Sequence, residues 1–193
     1  MKKGILFVVS APSGAGKSTI IRIIRPMFPD MLYSISCTTR APRKDEINGK
    51  DYYFVTQDKF KEMITNGDFI EWKIVHGNMY GTPAGPVAEA IATGQRMILD
   101  IDVEGAREVF KRFSDAVGIF IKAPDFATLE RRLRLRETDS DESIRTRLTN
   151  ARLETEMASI FRYQIINDNL EKAVDDLASI IRRESGQKTD LFG

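Results

Sequence analysis

Ala11-Pro12-Ser13-Gly14-Ala15-Gly16-Lys17-Ser18 carries the densest chemical information in the chain. It has the spacing of a phosphate-binding loop, with alanine standing where the strict pattern has its first glycine. In such a loop successive backbone N–H groups converge on a β-phosphate. Glycine is required where φ must be positive or a side chain would collide. The helix that follows adds its unpaired N-terminal N–H groups and the positive end of its dipole. Lys17 can reach the β- and γ-phosphates, and the Ser18 hydroxyl can ligate Mg²⁺. A buried apolar run ends at Ser10 and a helical pattern starts at Lys17, which is the context such a loop needs. These residues imply a nucleoside triphosphate and Mg²⁺.

A second group is suited to another anion. Thr38-Thr39-Arg40-Ala41-Pro42-Arg43 precedes Glu46, Gly49, Tyr52 and Phe54. Two arginines three apart can converge on one phosphate, whose oxygens suit a planar guanidinium better than an ammonium. The phenols of Tyr52 and Tyr80 can donate to the same anion. Taken alone, an R-x-x-R turn is more often a solvated basic loop. Asp100 ends an apolar strand, where it can hold Mg²⁺ through water or simply cap a turn.

The elements that must position these groups alternate short β-rich runs with amphipathic stretches, the pattern of an α/β fold with a largely parallel sheet. Residues 5–10 form a strand apolar throughout, as expected when both faces are covered. A helix follows over 17–27, then a short strand over 32–35. Residues 36–82 change texture: strands at 52–55 and 69–75 flank a helix capped by Asp58 and closed at Gly67, which reads as an inserted, mainly antiparallel subdomain. A helix then runs from Pro83 or Ala84 to Gly94. Beyond it lie a strand over 96–102, a helix over 104–113 and a strand over 117–121. Asp125 caps an arginine-crowded helix over 126–136. A long helix over 140–162, a strand over 163–166 and a helix over 170–184 complete the chain, with 187–193 loose.

With 193 residues, 42% of them hydrophobic, the chain suits one domain with a sizeable core. Its 29 basic and 28 acidic residues give no global pull toward nucleic acid or membrane. No apolar run approaches the roughly 20 residues of a membrane helix, and no signal-peptide pattern precedes the loop. Cys37 is the single cysteine, so no internal disulfide forms and a reducing cytoplasm suits the chain. Cys37 is best read as a small buried side chain, and His76, the single histidine, as an ordinary hydrogen-bonded one.

The run from Thr38 to Val55 closely resembles the signature of guanylate kinases: T-T-R, two residues, R, then acid, glycine and Y-x-F. Further elements match in order: Phe69-Ile70-Glu71-Trp72, Gly77-Asn78-Met79-Tyr80-Gly81-Thr82, Ile98-Leu99-Asp100-Ile101-Asp102 and Ile165-Ile166-Asn167-Asp168. The resemblance spans nearly the whole chain. It implies a P-loop three-layer core (1–35, 83–125 and 158–186), a GMP-binding subdomain (36–82) and a helical lid (126–157). Arg40, Arg43, Tyr52 and Tyr80 would hold the GMP phosphate, and Ser36, Glu71, Thr82 and Asp102 would read guanine. Arg132, Arg136 and Arg147 would be lid residues, catalytic together with Lys17 and Arg40. The ATP set would be the loop from Ala11 through Ser18 and Thr19, with Arg136, Asn167 and Asp168; Ser18 and Asp100 would serve Mg²⁺. Departures from the family pattern fall at Lys44-Asp45, Val103-Glu104 and Glu137, and none removes a named group.

The implied activity is Mg²⁺-dependent transfer of the ATP γ-phosphate to GMP or dGMP. The alternatives are a kinase for another monophosphate and a catalytically inactive interaction module. Intact Lys17 and Ser18 oppose the second. Guanine presents two adjacent donors, N1–H and the 2-amino group, which one carboxylate can accept together. A site built on such bonds rejects an analogue lacking them by as much as about 10⁴-fold. Glu71→Gln is therefore expected to cut GMP turnover while ATP binding, measured by calorimetry, stays intact; unchanged GMP kinetics would remove Glu71 from the role.

Overall fold

A computed structural model describes residues 3–75, 77–135 and 141–186. Two sheets organise the chain. The first is five-stranded and parallel throughout, built from β1 (Ile5–Ser10), β2 (Leu32–Tyr33), β7 (Arg96–Asp100), β8 (Val117–Lys122) and β9 (Tyr163–Ile166), in the order β2-β7-β1-β8-β9. The second holds β3 (Cys37–Thr38), β4 (Tyr53–Phe54), β5 (Phe69–Val75) and β6 (Asn78–Pro83), in the order β4-β3-β6-β5. Only its β3–β4 pair is parallel; β3–β6 and β5–β6 are antiparallel. The α/β class, the parallel core and the mainly antiparallel second sheet thus match the sequence reading.

Both faces of the first sheet are covered, which is why its strands are apolar without alternation. Phe7 and Val9 of β1 enter one core layer with α1 (Lys17–Ile24) and α7 (Leu170–Glu184). Leu6 and Val8 enter the other, with α3 (Ala84–Ala92) and α4 (Val103–Arg112). The second sheet has a small core of its own. There Phe60, from α2 (Gln57–Asn66), stacks on Phe69 with ring centroids 4.5 Å apart. The helices α5 (Phe126–Arg134) and α6 (Asp141–Glu156) pack beside the first sheet through buried Leu129 and Ala151.

Several boundaries differ from the sequence expectation, each for a local reason. Thr56, not Asp58, caps α2: its hydroxyl accepts the Lys59 N–H at 3.2 Å, leaving Asp58 in the first turn, where its charge suits the dipole. The strand expected over 96–102 stops at Asp100, because the Asp102 carboxylate caps α4 by accepting from Gly105 N–H at 2.8 Å. The first helix ends as a 3₁₀ turn (Arg25–Met27), since Pro26 has no N–H to continue it. The long helix expected over 140–162 is α6 followed by a 3₁₀ turn (Met157–Ile160). Asp125 caps α5 as expected, its carboxylate accepting from Thr128 N–H at 2.6 Å. Strands β3 and β6 have no counterpart in the sequence reading.

Leu177 of α7 is fully buried in the layer that supports the phosphate loop. Leu177→Ala is expected to destabilise the fold by about 2–5 kcal/mol, read as a lower urea midpoint with an unchanged slope.

Candidate functional site

The parallel pairing of β1 with β7 sets Val9 opposite Asp100, so both strands end at one edge of the sheet. The loop leaves from Ser10 there, and its glycines do what the spacing required: Gly14 and Gly16 have φ of 89° and 93°. Ala11 is 93% buried by its neighbours, being only 7% exposed, so a small apolar side chain is favoured at the position of the missing glycine. Gly16 is the N-cap of α1 and no side chain caps the helix, so its first N–H groups face outward to an anion. A Cβ on Gly16 would lie 2.3 Å from Asn167 Nδ2. That amide donates to Ala15 O at 2.8 Å, so buried Asn167 braces the loop from β9's end. Asp168 beside it is exposed.

Lys17 Nζ donates to Ile101 O at 3.1 Å and pairs with Asp100 Oδ1 at 2.5 Å. Ser18, with Thr19 next to it in α1, starts the helix beside them. Lys17, Ser18 and Asp100 line a cavity of about 430 Å³ that also reaches Tyr52, Glu71 and Tyr80 of the other sheet. Ser36 and Asp102 line it too. Hydroxyl and carboxylate oxygens are the hard donors Mg²⁺ prefers, so Ser18 and Asp100 fit that ion. Among the described residues no cluster of three acidic, histidine or cysteine side chains could cage a metal. A Mg²⁺ here would thus take its remaining ligands from water and phosphate.

Arg40 is held rigidly. Its guanidinium makes two 2.9 Å bonds to Glu46, and its Nε donates to the Tyr80 hydroxyl at 3.2 Å. The Glu46 bonds push the Arg40 pKa further up and hold the Glu46 carboxyl below its usual range. Tyr80 accepts from Arg40, which leaves its own hydrogen available. The Tyr52 ring lies 5.5 Å from the Arg40 guanidinium carbon, and burial pushes its phenol up. Arg43 is used differently: its backbone N–H donates to Glu46 at 2.8 Å while its side chain extends from an exposed turn. The structure therefore brings Arg40, Tyr52 and Tyr80 together, while the exposed Arg43 joins them only through its backbone bond to Glu46.

Glu71 and Thr82 face each other across β5 and β6, with the Thr82 hydroxyl donating to Glu71 Oε1 at 2.5 Å. Burial raises the Glu71 pKa, and the Thr82 bond and nearby Lys73 partly offset this. Behind the carboxylate lies Gly105, in the first turn of α4; a Cβ there would sit 3.2 Å from Glu71 Cδ. Asp102 is doubly engaged, Oδ1 capping α4 and Oδ2 paired with Lys73. Cys37 is buried and its thiol is pushed up to about 11 by burial, as suits an inert core side chain.

From the helical side, Arg132 Nη2 donates to Asn167 O at 2.9 Å, while its buried Nη1 has no partner among the described residues. Arg147 Nη1 donates to Ser13 Oγ at 3.2 Å. Arg136, Glu137 and His76 lie outside the described residues. Two residues here were missed by the sequence reading. Glu154, two turns after Arg147, lies near the Ser13 backbone and faces Lys17 and Lys73; burial raises its pKa. Their shared helical face, spaced by seven, was the available signal. Lys73 enters the cavity from β5, two residues after Glu71 and so on the same strand face.

Comparison with known proteins bears on this arrangement. The sequence profile described as guanylate kinase matches residues 3–184. The guanylate kinase of Carboxydothermus hydrogenoformans is 49% identical over 184 residues, covering 95% of this chain and 90% of that protein. That of Thermotoga maritima is 41% identical over 187 residues, covering 97% and 90%. The crystal structure of guanylate kinase from Anaplasma phagocytophilum superimposes with a TM-score of 0.75 at 31% identity, covering 97% of this chain and 89% of that one.

The Gly105 contact gives a test that separates stability from site geometry. Alanine favours a helix over glycine by about 1 kcal/mol, yet the new Cβ must push the Glu71 carboxylate by a few tenths of an ångström. Gly105→Ala is expected to leave the melting temperature equal or higher while raising the KM for the acceptor and not for the triphosphate.

Proposed function

This chain belongs to the guanylate kinase family, nucleoside monophosphate kinases acting on GMP, and on that premise we propose that it takes ATP as donor, requires Mg²⁺, and accepts dGMP as well as GMP. The products are ADP and GDP or dGDP, which places the enzyme in purine nucleotide metabolism. The observation that carries the reading is a single cavity bounded by Lys17 and Ser18 on one side and Tyr52, Glu71 and Tyr80 on the other. Donor and acceptor groups that merely coexisted in sequence share one space.

In this reading the second sheet with its flanking loops (36–82) binds GMP, helices α5 and α6 form the lid (126–157), and the remainder is the core. The triphosphate lies on the loop 11–18 and the start of α1, and Lys17 exchanges Asp100 for phosphate oxygens. Arg40, Tyr52, Tyr80 and Arg43 hold the acceptor phosphate so that one oxygen lies in line with the γ-phosphorus. Glu71, with Thr82, Ser36 and Asp102, accepts the guanine donors. Arg132 and Arg147, with Arg136, neutralise charge spreading over the transferred group, for which alignment and electrostatics suffice. The unpartnered Arg132 Nη1 supports that role, since a buried guanidinium N–H without an acceptor is costly until an anion arrives. Asn167 and Asp168 flank adenine. Ser18, and Asp100 through water, would hold Mg²⁺, which supplies charge neutralisation on the β- and γ-oxygens. No helix among the described residues is long and apolar enough to cross a membrane. The soluble substrates and a lone cysteine suit the cytoplasm.

A coupled assay of ADP release with GMP, dGMP, AMP, UMP and dTMP tests the assignment. GMP and dGMP are expected to turn over, and the other three at least about 10²-fold less efficiently. Preference for AMP or dTMP would overturn the acceptor, and ATP binding without any turnover would favour an interaction module.

A further inference from the structure

Lys73 is a cation that the reading above leaves without a task, although it lies among the groups assigned to the acceptor. Residues Glu71 and Lys73 project from one face of β5, and their cross-strand partners on β6 are Thr82 and Tyr80. Lys73 therefore stands between the pair assigned to the base and the tyrosine assigned to the phosphate. Its ammonium pairs with Asp102 Oδ2, and it lines the same cavity as Glu71 and Asp102.

Two carboxylates crowd this corner. Glu71 packs against Gly105 at the start of α4, and Asp102 caps the same helix. Glu71 accepts hydrogen bonds from a donor-rich base best when ionised, in a place where burial disfavours its charge. The N-terminal dipole of α4 offsets part of that cost. Lys73 is the nearby side-chain cation on the same face. We propose that Lys73 is a specificity-determining residue for the acceptor: by pairing with Asp102 it fixes that carboxylate in place, and by facing Glu71 it keeps the Glu71 carboxylate charged and aimed at the base. This rests on the acceptor reading given above. Asp102 retains capacity for the base despite its two bonds, since a carboxylate has about four lone-pair sites.

The surrounding charges fit this assignment. Around Lys73 stand Glu71 on its own strand, Asp102 before α4, Glu104 in α4, Glu154 of α6 and, as a repelling cation, Lys17 of the phosphate loop. Burial lowers the Lys73 pKa and Lys17 lowers it further, while Glu71, Glu154 and Glu104 raise it. Lys73 in turn lowers the pKa of Glu71 against the rise caused by burial. Removing the ammonium lets the Glu71 pKa rise, so the loss of acceptor binding on acidification starts at a higher pH.

Lys73→Met and Lys73→Arg, each checked for an unchanged melting temperature, would be assayed against pH with GMP and with inosine monophosphate, which lacks the 2-amino donor. For Lys73→Met the expected result is a GMP KM raised about tenfold, a kcat and ATP KM near wild type, and an acid limb of kcat/KM for GMP moved up by about one pH unit. Its preference for GMP over inosine monophosphate should fall, and Lys73→Arg should restore most of each property. An unmoved acid limb and unchanged base preference in Lys73→Met would overturn the proposal. So would equal losses in kcat and both KM values that arginine does not rescue, which would mean a purely structural role. A wild-type chain inactive on GMP would instead overturn the acceptor reading itself, and this proposal with it.

Discussion

Parallel pairing of β1 with β7 and β8 is the constraint on which the remaining architecture depends. Parallel strands carry their C-terminal ends to one edge, and the connections leaving that edge supply the core's share of the site. After β1 comes the phosphate loop, after β7 the Asp100–Asp102 turn, after β8 the capped start of α5, and after β9 the Asn167 brace. A one-residue slip would move every side chain of a strand into the opposite core layer, so the packing on both faces holds the register. The Ile101 N–H donates to Val9 O at 3.3 Å, which holds the start of the loop beside the end of β7.

Charge balance is the second theme. Two of the cations assigned to phosphate pair with neighbouring carboxylates, Lys17 with Asp100 and Arg40 with Glu46. Lys73 is likewise matched to Asp102. Half-buried charges left unpaired would cost stability, so a site built for an anionic ligand needs internal stand-ins. One nitrogen of Arg132, on α5, is buried without a partner among the described residues. Glu154 belongs to the same economy, a carboxylate from α6 placed near the loop's Ser13 backbone and facing two lysines. The Arg147 bond to the Ser13 hydroxyl ties α6 to that same loop.

Much of the framework was legible in the residues. The apolar run of β1, the glycine spacing of the loop and the Asp125 cap each follow from a strong local rule and stand where that rule puts them. Strands β3 and β6 were not legible. The first is two residues long, and the second, Asn78–Pro83, mixes glycine, proline and polar side chains without alternation. Both exist because they pair with each other and with an outer neighbour, β4 for β3 and β5 for β6, not because their own residues favour extension. The Asp58 error has the same origin in reverse, since Thr56 and Asp58 are both good caps and only backbone geometry decides between them.

Local residue patterns alone established that a loop with phosphate-binding spacing follows β1, that the sheet is parallel and covered on both faces, and, through resemblance, which family the chain joins. Spacing rules act over a few residues, and these features are written at that range. Tertiary packing alone set the lock of Arg40 to Glu46 while Arg43 stays exposed, and the brace of Asn167 on Ala15. It alone placed Lys73 and Glu154 beside Lys17, three charges drawn from β5, α6 and α1. Their meeting depends on how two sheets and a helix pair pack together, and no pattern local to any one of them encodes that distance.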